Sequence, residues 1–123
     1  MKVYNRTDFL KLPSGIIFCK GVQWAFENMS VKCDTIYHHD SAIDFYYLDL
    51  CDMESKNSEE RCEYLEESLK NGKSYPINES EMRDGCFDDE NIFLVFDTFD
   101  LLKIHRLFTQ SILTRVHHGM DFS

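Results

Sequence analysis

Five glycines and two prolines are few for 123 residues, and with them go the Gly-rich phosphate loops. Neither G-x-x-x-x-G-K nor G-x-G-x-x-G is present, so the common nucleotide-binding turns are missing. No G-x-S-x-G elbow or family-type cysteine signature offers an activated nucleophile. The five cysteines (Cys19, Cys33, Cys51, Cys62, Cys86) are odd in number, contain no C-x-x-C pair and lack zinc-type Cys/His spacing. They read as reduced thiols, with Cys33 and Cys62 at core positions. No apolar segment follows Met1, and no run approaches the roughly 18 apolar residues of a membrane span. These absences predict a cytoplasmic, non-enzymatic protein without cofactor or membrane.

Ten Phe, six Tyr and 43% hydrophobic residues supply enough apolar area for one core, so residues 1–123 are expected to form a single domain without metal or disulfide staples. The formal charge of −9 is unevenly spread: residues 1–50 carry −1, 51–100 carry −10 and 101–123 carry +2. Such a middle third repels phosphates and attracts basic surfaces, which argues against direct nucleic-acid binding.

Cap-type residues before Phe9-Leu10-Lys11-Leu12-Pro13 predict a short helix at about 7–12. Ile16–Lys20, Val22–Phe26, Met29–Ile36 and Ile43–Leu50 read as strands of an antiparallel meander, with Gly21 closing the first and turns at Glu27-Asn28 and His38–Ser41. Asn57-Ser58-Glu59-Glu60 opens a helix that Lys70-Asn71-Gly72 closes. Residues 73–90 read as mostly loop. Ile92–Phe96 is an unbroken apolar run, expected as a central strand buried on both faces. Asp97 or Thr98 then caps a last helix, where Leu101, Ile104, His105, Phe108, Ile112 and Arg115 repeat at spacings of three and four, so that it should lie across the sheet and end near 117. The fold class is therefore α+β: an antiparallel sheet of about four to five strands, with two main helices on one side and a short N-terminal helix.

His38, His39 and Asp40, with Asp44 nearby, offer metal-type ligands, but neighbouring strand residues face opposite ways, which favours a solvated hairpin turn. Phe45 and Tyr47 share one strand face and Tyr46 takes the other, where a homo-oligomer interface or a ligand wall would use it.

Phe9-Leu10-Lys11-Leu12-Pro13-Ser14-Gly15-Ile16-Ile17-Phe18 resembles the opening of a set of short phage and prophage accessory proteins. Arg83-Asp84-Gly85-Cys86-Phe87-Asp88, a following strand and a final helix resemble its later part, over about residues 7–110. A larger apolar residue would be expected at Cys86. The resemblance implies a viral accessory role, and by analogy of size and charge an anti-CRISPR or other anti-defence inhibitor. On this expectation Glu59, Glu60, Glu63, Glu66, Glu67, Asp88, Asp89 and Glu90 meet the basic groove of a host defence protein in the host cytoplasm, standing in for nucleic acid. The alternatives are an oligomeric sponge for a nucleotide immune signal, built from aromatics with Arg83, Arg106 and Arg115, and a metal-dependent enzyme using His38, His39 and Asp40.

Overall fold

The side chain of Asn5 accepts the Asp8 backbone N–H at 2.8 Å, satisfying a donor that a helix start otherwise leaves open. In the computed structural model, which describes residues 1–85 and 88–120, this cap joins β1 (Lys2–Asn5) to α1 (Arg6–Phe9). Then come β2 (Ile17–Val22), β3 (Ala25–His38), β4 (Ser41–Asp49), α2 (Ser58–Asn71), β5 (Met82–Arg83), β6 (Ile92–Val95) and α3 (Thr98–His117). The strands form one open sheet in the order β1-β6-β2-β3-β4-β5, with every pairing antiparallel. The α+β reading holds, with six strands where four to five were expected.

The additional strands are short. β1 has four residues, of which Val3 and Tyr4 pair with Leu94 and Phe93, too few for an alternating pattern to stand out. The first hairpin also turns earlier than expected, at Gln23-Trp24, with Val22 opposite Ala25. Glu27 and Asn28 therefore belong to β3. Gly21 continues β2 instead of closing it, because a Cβ there would stand 2.1 Å from the Ala25 carbonyl oxygen. The pairing slips by one residue between Cys19 and Gly21, and this bulge needs the close backbone approach that only glycine allows.

The core lies on one face of the sheet, called inner here. α1 sets Phe9 into it, stacked on Phe93 with ring centres 4.0 Å apart, tilted against Phe18 at 4.8 Å and edge-on to Phe45 at 5.1 Å. Leu10 and Val95 complete the buried hydrophobic set among the described residues. Two half-buried apolar rows cross the outer face: Ile17, Val31 and Leu48 in one, and Val3, Leu94, Cys19 and Met29 in the other, with only Val3 more exposed.

α2 and α3 form where expected. Asn57 caps α2 and Gly72 ends it in the left-handed conformation at φ 69°. α3 opens with a capping box between Asp97 and Asp100, and the Met1 amino group lies 3.1 and 2.8 Å from the same two carboxylates. Neither helix buries a residue. α3 thus does not lie across the sheet, and β6 is buried through Phe93 and Val95 on one face only. Cys62, expected in the core, is exposed for the same reason.

Candidate functional site

Asp44 sits in mid-strand on β4 with no exposed surface. A lone buried carboxylate costs several kcal/mol, and the fold meets this with donors from three segments. Arg6 Nη2 donates to Oδ1 at 3.1 Å, Arg83 Nε to Oδ2 at 2.7 Å, and the backbone N–H groups of Phe45 and Gly85 at 2.9 and 3.0 Å. Pairing of Tyr46 with Arg83 brings this corner together, and Gly85 turns the chain inward with φ 65°. Arg6 also donates to Asp84 at 2.9 Å and to the Ile43 carbonyl at 3.1 Å. Lys20 donates to the other Asp84 oxygen at 2.8 Å. Burial by itself would raise the pKa of Asp44, but the hydrogen bonds from Arg83, Phe45, Gly85 and Arg6 outweigh it and hold the carboxyl below its usual range. Among the described residues no buried side-chain nitrogen or oxygen lacks a partner. This cluster is a closed ionic lock that ties α1, β2, β4 and β5 into one corner.

Beside the lock the inner face is uncovered, leaving a cleft of about 210 Å³ between Phe18, Lys20, Ser30, Phe45, Tyr47 and Asp84. It is smaller than typical organic-ligand pockets of roughly 300–1,000 Å³. Burial, followed by the charge of Asp84, raises the Tyr47 phenol pKa. Next in the sheet, Lys32 is almost fully buried, and its ammonium donates to the Cys33 carbonyl at 3.2 Å and Thr35 Oγ1 at 2.7 Å. Burial lowers its pKa. The Cys33 thiol is pushed up to about 11, chiefly by burial and then by a hydrogen bond with Glu81, so it is a thiol and a poor nucleophile at neutral pH.

The acids singled out from sequence fall in two places. Glu59, Glu60, Glu63, Glu66 and Glu67 belong to α2, and at about 100° per residue they share an arc of roughly 120°. The opposite side carries Cys62, Leu65 and Leu69. Two attachments hold the helix at the molecular surface: Arg61 Nε donates to Asp52 at 2.8 Å, and Tyr64 stacks on Tyr75 at 4.2 Å. The Tyr75 hydroxyl donates to Glu67, which raises the phenol pKa to about 12, and Lys73 lies 3.7 Å from the same glutamate. Asp88, Asp89 and Glu90 precede β6 instead. Asp89 lines a shallow depression with Arg6, Lys11 and His38, to which α2 contributes nothing.

The residues of the two alternative readings are not gathered. Arg83, on β5, is engaged with Asp44 of β4, whereas Arg106 and Arg115 are on α3, which follows β6. β5 and β6 stand four positions apart in the sheet, about 19 Å at the usual strand spacing. His38 and His39 do approach, with ring centres 4.4 Å apart, because His39 takes a positive φ of 55° in the tight turn. No group of three or more metal-type ligands occurs among the described residues.

Sequence reasoning missed the lock. Its available signal was Asp44 itself, a carboxylate between the apolar Ile43 and Phe45 in the middle of a strand. Nothing local marks Arg6 or Lys20 as its partners, since they are brought close only by the sheet. Among the described residues no helix is long and apolar enough to cross a membrane. Comparison of the chain with family models, curated proteins and solved structures returned no match.

Proposed function

We propose that this chain is a non-enzymatic, acidic binding protein of the phage anti-defence type, acting in the host cytoplasm. Its α2 face occupies a Lys/Arg-rich nucleic-acid groove on a host defence protein. The observation that carries the reading is the presentation of α2: a capped helix, attached through Arg61 and Tyr64, that has no fully buried residue and carries five glutamates along one side, Glu60 and Glu67 half-buried. Glu59 to Glu67 rise roughly 12 Å along the helix axis, so the five carboxylates recur on average about every 3 Å. A single DNA strand carries one phosphate per about 3.4 Å of axis, and a groove built for that spacing also accommodates this face. Asp88, Asp89 and Glu90 extend the negative field without joining the same face. The raised thiol pKa of Cys33 and the closed lock around Asp44 support a binding role over catalysis.

The test is an affinity pull-down from host lysate at low and high salt, using the wild type and Glu59→Lys/Glu63→Lys/Glu66→Lys. A partner recovered at low salt, released at high salt and lost by the triple variant supports the reading. A partner held equally by the triple variant contradicts it.

A further inference from the structure

The cleft on the inner face is lined by polar groups that the fold itself does not use. Ser30, opposite Phe18 in the β2–β3 pairing, is only 7% exposed. Its hydroxyl has no hydrogen-bond partner among the described residues and opens onto the cleft instead of being enclosed. The half-buried Tyr47 lines the same space, and its hydroxyl is unpartnered in the same way. Hydroxyls this deep in a protein normally find a partner, so two of them on one cleft specify a guest that forms hydrogen bonds.

The mouth of the cleft sets the charge of that guest. The slip in the β2–β3 pairing leaves Glu27 and Asn28 together opposite Lys20, and a bulge of this kind re-aims a side chain. Strict alternation would send Glu27 to the outer face with Met29, but it lines the cleft beside Asn28. Glu27, Asn28, Ser30 and Tyr47 also line an adjoining recess of about 340 Å³, which includes Asp49. The Lys20 ammonium is held by Asp84 at 2.8 Å, and the nearby Lys32 ammonium turns away, to the Cys33 carbonyl and Thr35. With Asp84 offset by Lys20, Glu27 and Asp49 give the joined space a charge of −2. An anion is repelled by that charge, and an apolar guest would leave both hydroxyls without bonds. A small cation rich in N–H donors satisfies both conditions. A guanidinium presents its donors in a planar fork, and its flat face suits the ring of Tyr47.

From these features we infer that the cleft receives an alkylguanidinium group, which donates to the Ser30 and Tyr47 hydroxyls and is neutralised by Glu27 at the mouth. The group is carried by an arginine of a protein partner or by a free small molecule. The site is built on β2, β3 and β4 and does not depend on the role given to α2.

An amide NMR titration of the isotope-labelled full chain with ethylguanidinium tests this. Saturable shifts centred on Glu27, Asn28, Ser30 and Tyr47 are expected with a Kd of about 1 mM, within reach of so small a ligand. Ethylurea has the same shape without the charge and should bind at least about tenfold more weakly. Glu27→Gln/Ser30→Ala should weaken ethylguanidinium by about tenfold or more while amide signals outside the cleft keep their positions. A capped Gly-Arg-Gly peptide separates the two sources: tighter binding than ethylguanidinium assigns a protein arginine, and equal or weaker binding assigns a free small molecule. No saturable shift by about 20 mM overturns the inference. An equal response to ethylurea, or undiminished binding by the double variant, also overturns it.

Discussion

Phe9 and Leu69 are both large apolar residues in helices, and they finish at opposite extremes, 0% and 88% exposed. The inner face of the sheet and the two long helices differ in the same way. Phe9 belongs to a single helical turn, yet it meets Phe18, Phe45 and Phe93 from three strands. Leu69 belongs to a fourteen-residue, well-capped helix in which no residue is fully buried. Stability here follows what an element is pressed against, not its length or its helical signals. Cohesion is concentrated on the inner face, and the helices are carried outward as surfaces.

The contrast breaks most severely at its centre. Phe9→Ala should remove about 4 kcal/mol in urea unfolding, since the ring is enclosed on all sides and its cavity cannot collapse without moving three strands. Asp44→Ala should cost about 3 kcal/mol, because buried Arg6 would keep Asp84 but lose its second carboxylate, and the Gly85 N–H would stay buried without its acceptor. The pH profile separates this loss from simple packing. Asp44 titrates below its unfolded value, so its contribution is fully present above the unfolded pKa of about 3.9 and disappears as pH falls through the lower, folded value. Wild-type stability should therefore decline below about pH 5 more steeply than that of Asp44→Ala. Gly21→Ala, which would set a methyl group against the Ala25 carbonyl, should cost about 2 kcal/mol by forcing the bulge open. At the other extreme, Leu69→Ala should change stability by less than about 0.5 kcal/mol. A loss above about 1 kcal/mol would mean that α2 is packed after all.

Much of this architecture is legible in the sequence because it is written locally. Asn57 and Gly72 delimit α2, Asp97 opens α3, and alternation in Met29–Asp34 marks β3. What resisted reading depends on partners distant in sequence. Lys2–Asn5 becomes a strand only because β6 offers an edge. Gly21 looks like a terminator until the bulge beside Ala25 is known. Arg6, Lys20, Asp44 and Asp84 are ordinary surface-type residues until four segments converge and bury them. The opposite error, expecting α3 across the sheet and Cys62 in the core, has one physical source: an apolar stripe at helical spacing states that a face seeks cover, and says nothing about which surface provides it. The acidic face of α2 was legible as one arc of glutamates, but its separation from Asp88-Asp89-Glu90 was not, because that depends on where the turn before β6 lies.

Native-state hydrogen exchange on the chain tests the central claim most directly. Backbone amides of β2, β3 and β6 should exchange only through global unfolding, while those in the middle of α2 and α3 should open locally with much lower protection. Equal protection of the helices and the central strands would contradict the account.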